Sequence, residues 1–280
     1  YDRRFLSKEA VIWSCEILGQ QGIRVLFVDR SSPTPLIMFY VMKHDLSYGI
    51  MVTASHNPAI YNGIKVFTRG GRDADEHQTA DIEKYLEQAE KLYVPDPEEN
   101  GQMPPHAYQE LVKSGRVVEM NPMNEYLDNI ISLINLDAIR ERDLRIAIDP
   151  MYGVSLTALC TILSIARCTV ETINSQHDTL FGGKMPAPTE STLRSLQNYV
   201  LDRYCDIGIA TDGDADRLGV IDDKGHYLHA NTILVMLYYY LLKYRGWRGP
   251  AVRNLSTTHV LDKVAESFGQ KCYEVPVGFK

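Results

Sequence analysis

Asp212, Asp214 and Asp216 alternate within the stretch TDGDADR, residues 211 to 217. The small spacers Gly213 and Ala215 let a tight turn aim all three carboxylates at one point, where they repel one another unless a cation sits between them. Such hard oxygen donors select Mg²⁺, Mn²⁺ or Ca²⁺ over zinc or copper. An EF-hand calcium loop shares the Asp-x-Asp-x-Asp opening, but Arg217 stands where that loop needs its glycine, and the flanking runs have strand character rather than helical character. A solvated acidic turn is the plain alternative. Arg217 weighs against it, because a guanidinium beside a cation site suits a phosphate.

A second group of reactive side chains lies in GIMVTASHNPAIYNGIK, residues 49 to 65. It holds a hydroxyl (Ser55), an imidazole (His56), an amide (Asn57) and an amine (Lys65), with Pro58 and Gly63 shaping the loop. Taken alone, Ser55 and Asn57 could serve only as local hydrogen-bonders of a strand-to-loop turn. A serine hydrolase fits poorly: there is no G-x-S-x-G elbow, and adjacent Ser and His side chains do not readily form a nucleophile–base pair. Phosphoryl chemistry fits better. A serine oxygen could carry the phosphoryl group, the three aspartates could bring a divalent ion to it, and Arg217 and Lys65 could bind its oxygens.

These loops need elements to hold them. Apolar spacing at Val11, Cys15 and Leu18 predicts a helix over 7–19, IRVLFV (23–28) a strand, Pro33-Thr34-Pro35 a turn opening a helix to Lys43, and GIMVT (49–53) a strand. The serine motif then follows a strand's carboxyl end, where open α/β sheets keep their ligands. A surface helix is expected over 81–93 on the stripe Ile82, Leu86, Ala89, Tyr93, then an exposed loop over 94–105, a helix over 123–134 and a strand at 144–150. From there a helix (154–166), a strand (CTVETI), a helix (189–200, with Thr189 as its cap and Leu193, Leu196 and Val200 inward), and the strands DIGIA and LGVID bracket the aspartates. A buried helix over 232–244 and a strand–helix–strand over 249–275 complete the pattern. The fold class is α/β, divided as residues 1–139, 140–247 and 248–280, the last unit appearing cut off.

The chain has 280 residues, 45% of them hydrophobic, enough for about two cores. Its formal net charge of −7 supplies no basic stripe, which argues against nucleic acid or an anionic membrane as a partner. The apolar run ILVMLYYYLL (233–242) is half the length of a membrane span. Five scattered cysteines without C-x-x-C spacing predict free thiols in a reducing, cytoplasmic setting. The histidines other than His56 are expected to be surface or locally bonded groups.

TASHNPAIYNGIK together with TDGDADR resembles the α-D-phosphohexomutase family, which includes phosphoglucomutases and phosphomannomutases. YDRRFLS, PTP, FGGKMPAPTE and VPVGFK extend the resemblance along the chain. It implies consecutive similar α/β domains with mixed sheets flanked by helices: domain 1 (1–139, serine loop), domain 2 (140–247, metal loop) and the start of domain 3 (248–280). By the same resemblance Ser55 is the phosphorylated serine, and Ser55, Asp212, Asp214 and Asp216 hold one Mg²⁺. Arg217 and Arg4 lie near the phosphoserine, His56 and Lys65 transfer protons and position groups, and Asn57 and Gly278 contact substrate.

The implied reaction interconverts hexose 1- and 6-phosphates of glucose or mannose through a hexose 1,6-bisphosphate, in a monomer or homodimer. Phosphoglucosamine mutase and a non-catalytic sugar-phosphate-binding relative are the alternatives; a metal-dependent phosphatase lacks its upstream Asp-x-Asp pair. Since the family's opening strand, sugar-recognition loop and fourth domain lie outside these residues, the chain is expected to be a fragment, inactive as a mutase by itself.

Overall fold

In the computed structural model, which describes residues 1–92 and 107–277, the chain alternates helices and strands in three successive units. The first holds α1 (Ser7–Gln20), β1 (Val25–Val28), α2 (Thr34–Lys43), β2 (Tyr48–Val52), β3 (Ile64–Thr68), β4 (Arg72–Asp73), α3 (Glu76–Leu92), α4 (Ala107–Lys113), β5 (Val117–Met120), α5 (Met123–Leu133) and α6 (Leu136–Arg140). β1 pairs in parallel with β5, while β2, β3 and β4 form an antiparallel ribbon whose first turn is the serine loop. Pro33 precedes α2 and Pro35 sits within its first turn, where a missing N–H costs nothing.

The second unit holds β6 (Arg145–Asp149), α7 (Leu156–Ile165), β7 (Thr169–Thr172), α8 (Arg194–Arg203), β8 (Ile207–Thr211), β9 (Leu218–Asp222) and β10 (Tyr227–Leu228). Its sheet runs β10-β9-β8-β6-β7, with β7, β6 and β8 mutually parallel and β9 returning antiparallel to β8. The aspartate motif is the turn of the β8–β9 hairpin, so the central strand of the sheet leads into it. A third unit opens with α9 (Ala230–Lys243) and continues through β11 (Ala251–Asn254), α10 (Val260–Ser267) and β12 (Cys272–Val275), the two strands pairing in parallel.

Three apolar clusters hold these elements. One lies between α1, α4 and the β1–β5 pair around Cys15, Phe27 and Val117. Another packs α8 on the five-stranded sheet, where Leu193, Leu196, Val200, Ala210 and Ile221 are fully buried. The third joins two units: Leu36 and Ile37 of α2, Met51 of β2 and Phe67 of β3 meet Met123 and Leu127 of α5, which in turn meet Ala158 and Ile162 of α7. Burying a Leu or Phe is worth about 1.5–3 kcal/mol, so this cluster ties the serine-bearing unit to the carboxylate-bearing one.

Several expectations need correction. The apolar helix α9 is not buried: Leu242 is its one buried residue, whereas Leu234, Met236 and Leu237 face outward, because among the described residues only α10 packs closely against it. Helix α8 starts at Arg194, five residues after Thr189, whose hydroxyl bonds Ser191 and Thr192 in the preceding turn instead of capping the helix. The stripe on α3 is unpacked, with Ile82 and Leu86 both exposed. Strands β3, β4 and β5 and helices α4 and α6 were not anticipated, and the expected loop over 94–105 lies outside the described residues. Among those residues no helix is long and apolar enough to cross a membrane.

Candidate active site

The carboxylate loop is pressed into shape from two sides. Thr34 at the start of α2 donates its backbone N–H to the Asp214 carbonyl (2.9 Å) and its hydroxyl to Asp214 Oδ2 (2.6 Å). On the other side the turn after β6 crosses so closely that a Cβ at Gly153 would sit 2.6 Å from the Gly213 carbonyl oxygen; only glycine fits there. Asp212 accepts the backbone N–H groups of Asp216 and Arg217 on Oδ1, each at 3.0 Å. Asp212 and Asp214 are fully buried and Asp216 lies at the rim, with ligand oxygens of all three within 4.8 Å of one another.

Burial, and then the charges of Asp214 and Asp216, push the Asp212 carboxyl up to about 7. At Asp214 burial acts in the same direction but is outweighed by hydrogen bonds from Lys65 and Thr34, so its carboxyl stays below the usual range. Lys65 on β3 bridges Asp214 Oδ2 and Asp216 Oδ2, at 2.7 Å each. Burial opposes its charge, yet those two bonds more than offset it and hold the ammonium above its ordinary value. The second oxygen of Asp214, Oδ1, is buried and has no hydrogen-bond partner among the described residues.

The serine loop enters this cluster from β2. Ser55 takes a left-handed backbone (φ 51°), an uncommon conformation for a side-chain-bearing residue, and donates Oγ to Asp212 Oδ2 at 3.0 Å. Its backbone N–H bonds Thr53 Oγ1, whose hydroxyl is passed to the buried Asp2 (2.7 Å). Nδ1 of His56 lies 3.5 Å from Ser55 Oγ. Burial and then the Arg217 charge lower its pKa, which favours a neutral imidazole able to accept a proton at neutral pH. Arg217 itself is exposed, its guanidinium free of partners among the described residues and open to an incoming anion.

Arg4 lies beside the serine loop, as expected, and its donors are spent on that loop's backbone. Its five N–H donors go to Asp2 (3.0 Å) and to the backbone carbonyls of Pro58 (2.8 Å), Tyr61 (3.0 Å), Ser55 (2.6 Å) and Asn57 (2.8 Å). All five donors are thus taken up, four of them by carbonyls of the serine loop. The Asn57 side chain is exposed and makes no hydrogen bond among the described residues; its carbonyl is what the loop uses. Gly278 lies outside the described residues.

Thr34, Asp2 and Thr53 were missed as site residues. Pro33-Thr34-Pro35 announced only a turn and a helix start, and nothing in the letters places Thr34 against a residue 180 positions away. The acidic neighbour of Arg4 was the available signal for Asp2.

A serine hydroxyl thus faces a compact carboxylate cluster with a lysine and an exposed arginine, at the meeting of two α/β units. The comparisons give the class. Residues 1–93, 124–225 and 229–280 match, respectively, the α/β/α domains I, II and III of phosphoglucomutase/phosphomannomutase, and the chain belongs to that family of phosphohexomutases.

A Pyrococcus abyssi protein assigned as a phosphoglucosamine mutase is 31% identical over 97% of the chain and 54% of its own length. A phosphoglucomutase of Komagataeibacter xylinus is 26% identical over 100% of the chain and 52% of its own length. A Thermus thermophilus protein assigned as a phosphomannomutase superposes with a TM-score of 0.82 at 26% identity, over 99% of the chain and 60% of its own. The chain thus spans about half the length of the curated relatives it matches.

Proposed function

We propose that the chain carries the phosphoryl-donor half of a phosphohexomutase that interconverts the 1- and 6-phosphates of a hexose, glucose or mannose, through a hexose 1,6-bisphosphate. The observation that carries this reading is the 3.0 Å contact between Ser55 Oγ and Asp212 within the carboxylate cluster. In this reading the first unit brings the serine, the second the carboxylates, and the third, from α9 onward, opens the part that meets the sugar.

A divalent cation fits the residues present: three clustered carboxylates exceed the single charge of Lys65, and Asp214 Oδ1, without a partner among the described residues, offers a further donor. Asp212, Asp214 and Asp216 with an oxygen on Ser55 would hold Mg²⁺, which supplies neutralising charge for the phosphoryl group. The chain's own residues do the rest. A sugar hydroxyl attacks the phosphorus on Ser55 as the bond to Oγ breaks, and the hydroxyl proton passes to His56. Arg217 holds equatorial oxygens, and Lys65 keeps the carboxylate rim in place while offering a cation to the moving phosphate. The bisphosphate then turns over, Ser55 Oγ takes its other phosphoryl group as the sugar O–P bond breaks, and the departing sugar oxygen recovers the proton held by His56.

Peptide mass spectrometry of the full-length protein after incubation with Mg²⁺ and a hexose bisphosphate tests this. Phosphate on Ser55, lost in Asp214→Asn, is expected; an unmodified Ser55 overturns the mutase reading in favour of a binding role. Phosphoglucosamine is the second reading for the sugar, favoured by the assignment of the Pyrococcus relative. Turnover of glucose, mannose and glucosamine 1-phosphates side by side decides between them.

A further inference from the structure

Phe181 is almost wholly buried (1% exposed), yet it belongs to none of the three apolar clusters. It opens the tight turn Phe181–Gly183, and its backbone is left-handed (φ 52°), as are those of Gly182 and Gly183. Asp178 caps that turn by accepting the N–H groups of Leu180 and Gly182, and Tyr152 lies so close over Gly182 that a Cβ there would meet its ring at 2.6 Å. The chain therefore holds an aromatic residue in a conformation it rarely adopts, in order to bring the ring to one place.

That place is the seam between the two loops. The Arg4 guanidinium lies over the Phe181 ring, 5.0 Å from its centroid. The ring edge faces Gly213 so closely that a Cβ at Gly213 would stand 3.3 Å from it and 3.2 Å from the Ser55 carbonyl oxygen on the other side. Arg4 in turn donates to that same carbonyl. Arg4 thus links Ser55 to Phe181 by direct contact, and Gly213 of the carboxylate loop lies in the narrow gap beside both.

We propose that Phe181 is a positioning residue for phosphoryl transfer: its ring, set beside Gly213, braces the Arg4 guanidinium that holds the Ser55 carbonyl, and so sets the distance between the serine hydroxyl and the carboxylates. The catalytic part of this proposal rests on the mutase reading; the brace itself does not. A desolvated cation over an aromatic face is favourable in a way an aliphatic side chain of similar volume is not, which separates a brace from a mere core filler.

Phe181→Leu in the full-length protein tests it by backbone amide exchange and by the rate of Ser55 phosphorylation from hexose bisphosphate. Exchange over residues 54–62 should rise about tenfold while that of β8 and β9 stays within about twofold, as loss of one desolvated cation–π contact predicts. Phosphorylation should slow by a similar factor with little change in KM for the sugar phosphate. Arg4→Lys should loosen the same segment, and Phe181→Leu added to it should bring little more, since both cut the same link. Phe181→Tyr, which keeps the ring, should restore parental exchange. Unchanged exchange over 54–62, or an equal rise throughout β6–β9, overturns the brace. A loop that loosens as expected in a protein that never takes phosphate on Ser55 supports the brace and removes the mutase reading.

Discussion

The two loops that meet at the site are held by opposite means. The carboxylate loop is the hairpin between the central strand β8 and its neighbour β9; its Asp212 and Asp214 are fully buried and anchored by backbone amides and Thr34. The serine loop bulges from the β2–β3 ribbon, exposes Asn57, Pro58, Ile60, Tyr61 and Asn62, and has four of its carbonyls gathered by one guanidinium. Charge that must stay fixed is built into a sheet. The group that would be loaded and unloaded is held by a clamp that a single substitution can release.

Removing the working atom of the clamped loop should have the largest effect. Ser55→Ala is expected to cut turnover of the full-length enzyme by about a thousandfold or more, as loss of a nucleophile does, while calorimetry still detects divalent-ion binding at the carboxylates. Opening the clamp comes next. Arg4→Ala strands the buried Asp2 charge and four carbonyls, and denaturant titration should show a loss of about 3–5 kcal/mol, the usual penalty for breaking a buried ion pair. If the carboxylate hairpin loses amide protection as readily as residues 54–62 do, the contrast between the loops fails.

On the rigid side, Leu196→Ala removes a fully buried side chain under the sheet that carries the hairpin, so chemical denaturation should register a loss of about 2–5 kcal/mol. Met236 of α9, which faces outward in this chain, supplies the control: Met236→Ser in the 280-residue chain should stay within about 0.5 kcal/mol of the parent. A smaller effect concerns pH. Because Asp212 is raised to about 7 and must be ionised to ligate, a proton competes with the cation below that value. Divalent-ion affinity should therefore be flat above pH 7 and fall by up to about tenfold per unit as pH drops below it, measured by titration calorimetry across pH 5.5–8.

The alternation of helix and strand was legible, because spacing reports which face of an element is apolar. Leu193, Leu196 and Val200 were placed inward from spacing alone and are fully buried. The carboxylates and Ser55 could be nominated because each motif is compact and local. What sequence could not convey is contact at a distance. Arg4 was expected near the serine, and only the fold reveals that the Pro58 and Tyr61 carbonyls, more than fifty positions away, use its donors. Helix α9 misled for the complementary reason: an apolar run says that a face wants cover, and it does not say whether a neighbour provides it.

The cluster running from Leu36 through Leu127 to Ile162 has a consequence for recombination. Although serine and carboxylates sit on separate units, α5 is shared upholstery between them, so a hybrid spliced at residue 139 would unite a Leu127 face with an Ala158 and Ile162 face from a different lineage. Such hybrids should fold only when those facing positions are exchanged as a set. The serine-bearing and carboxylate-bearing units would thus exchange as one block rather than singly.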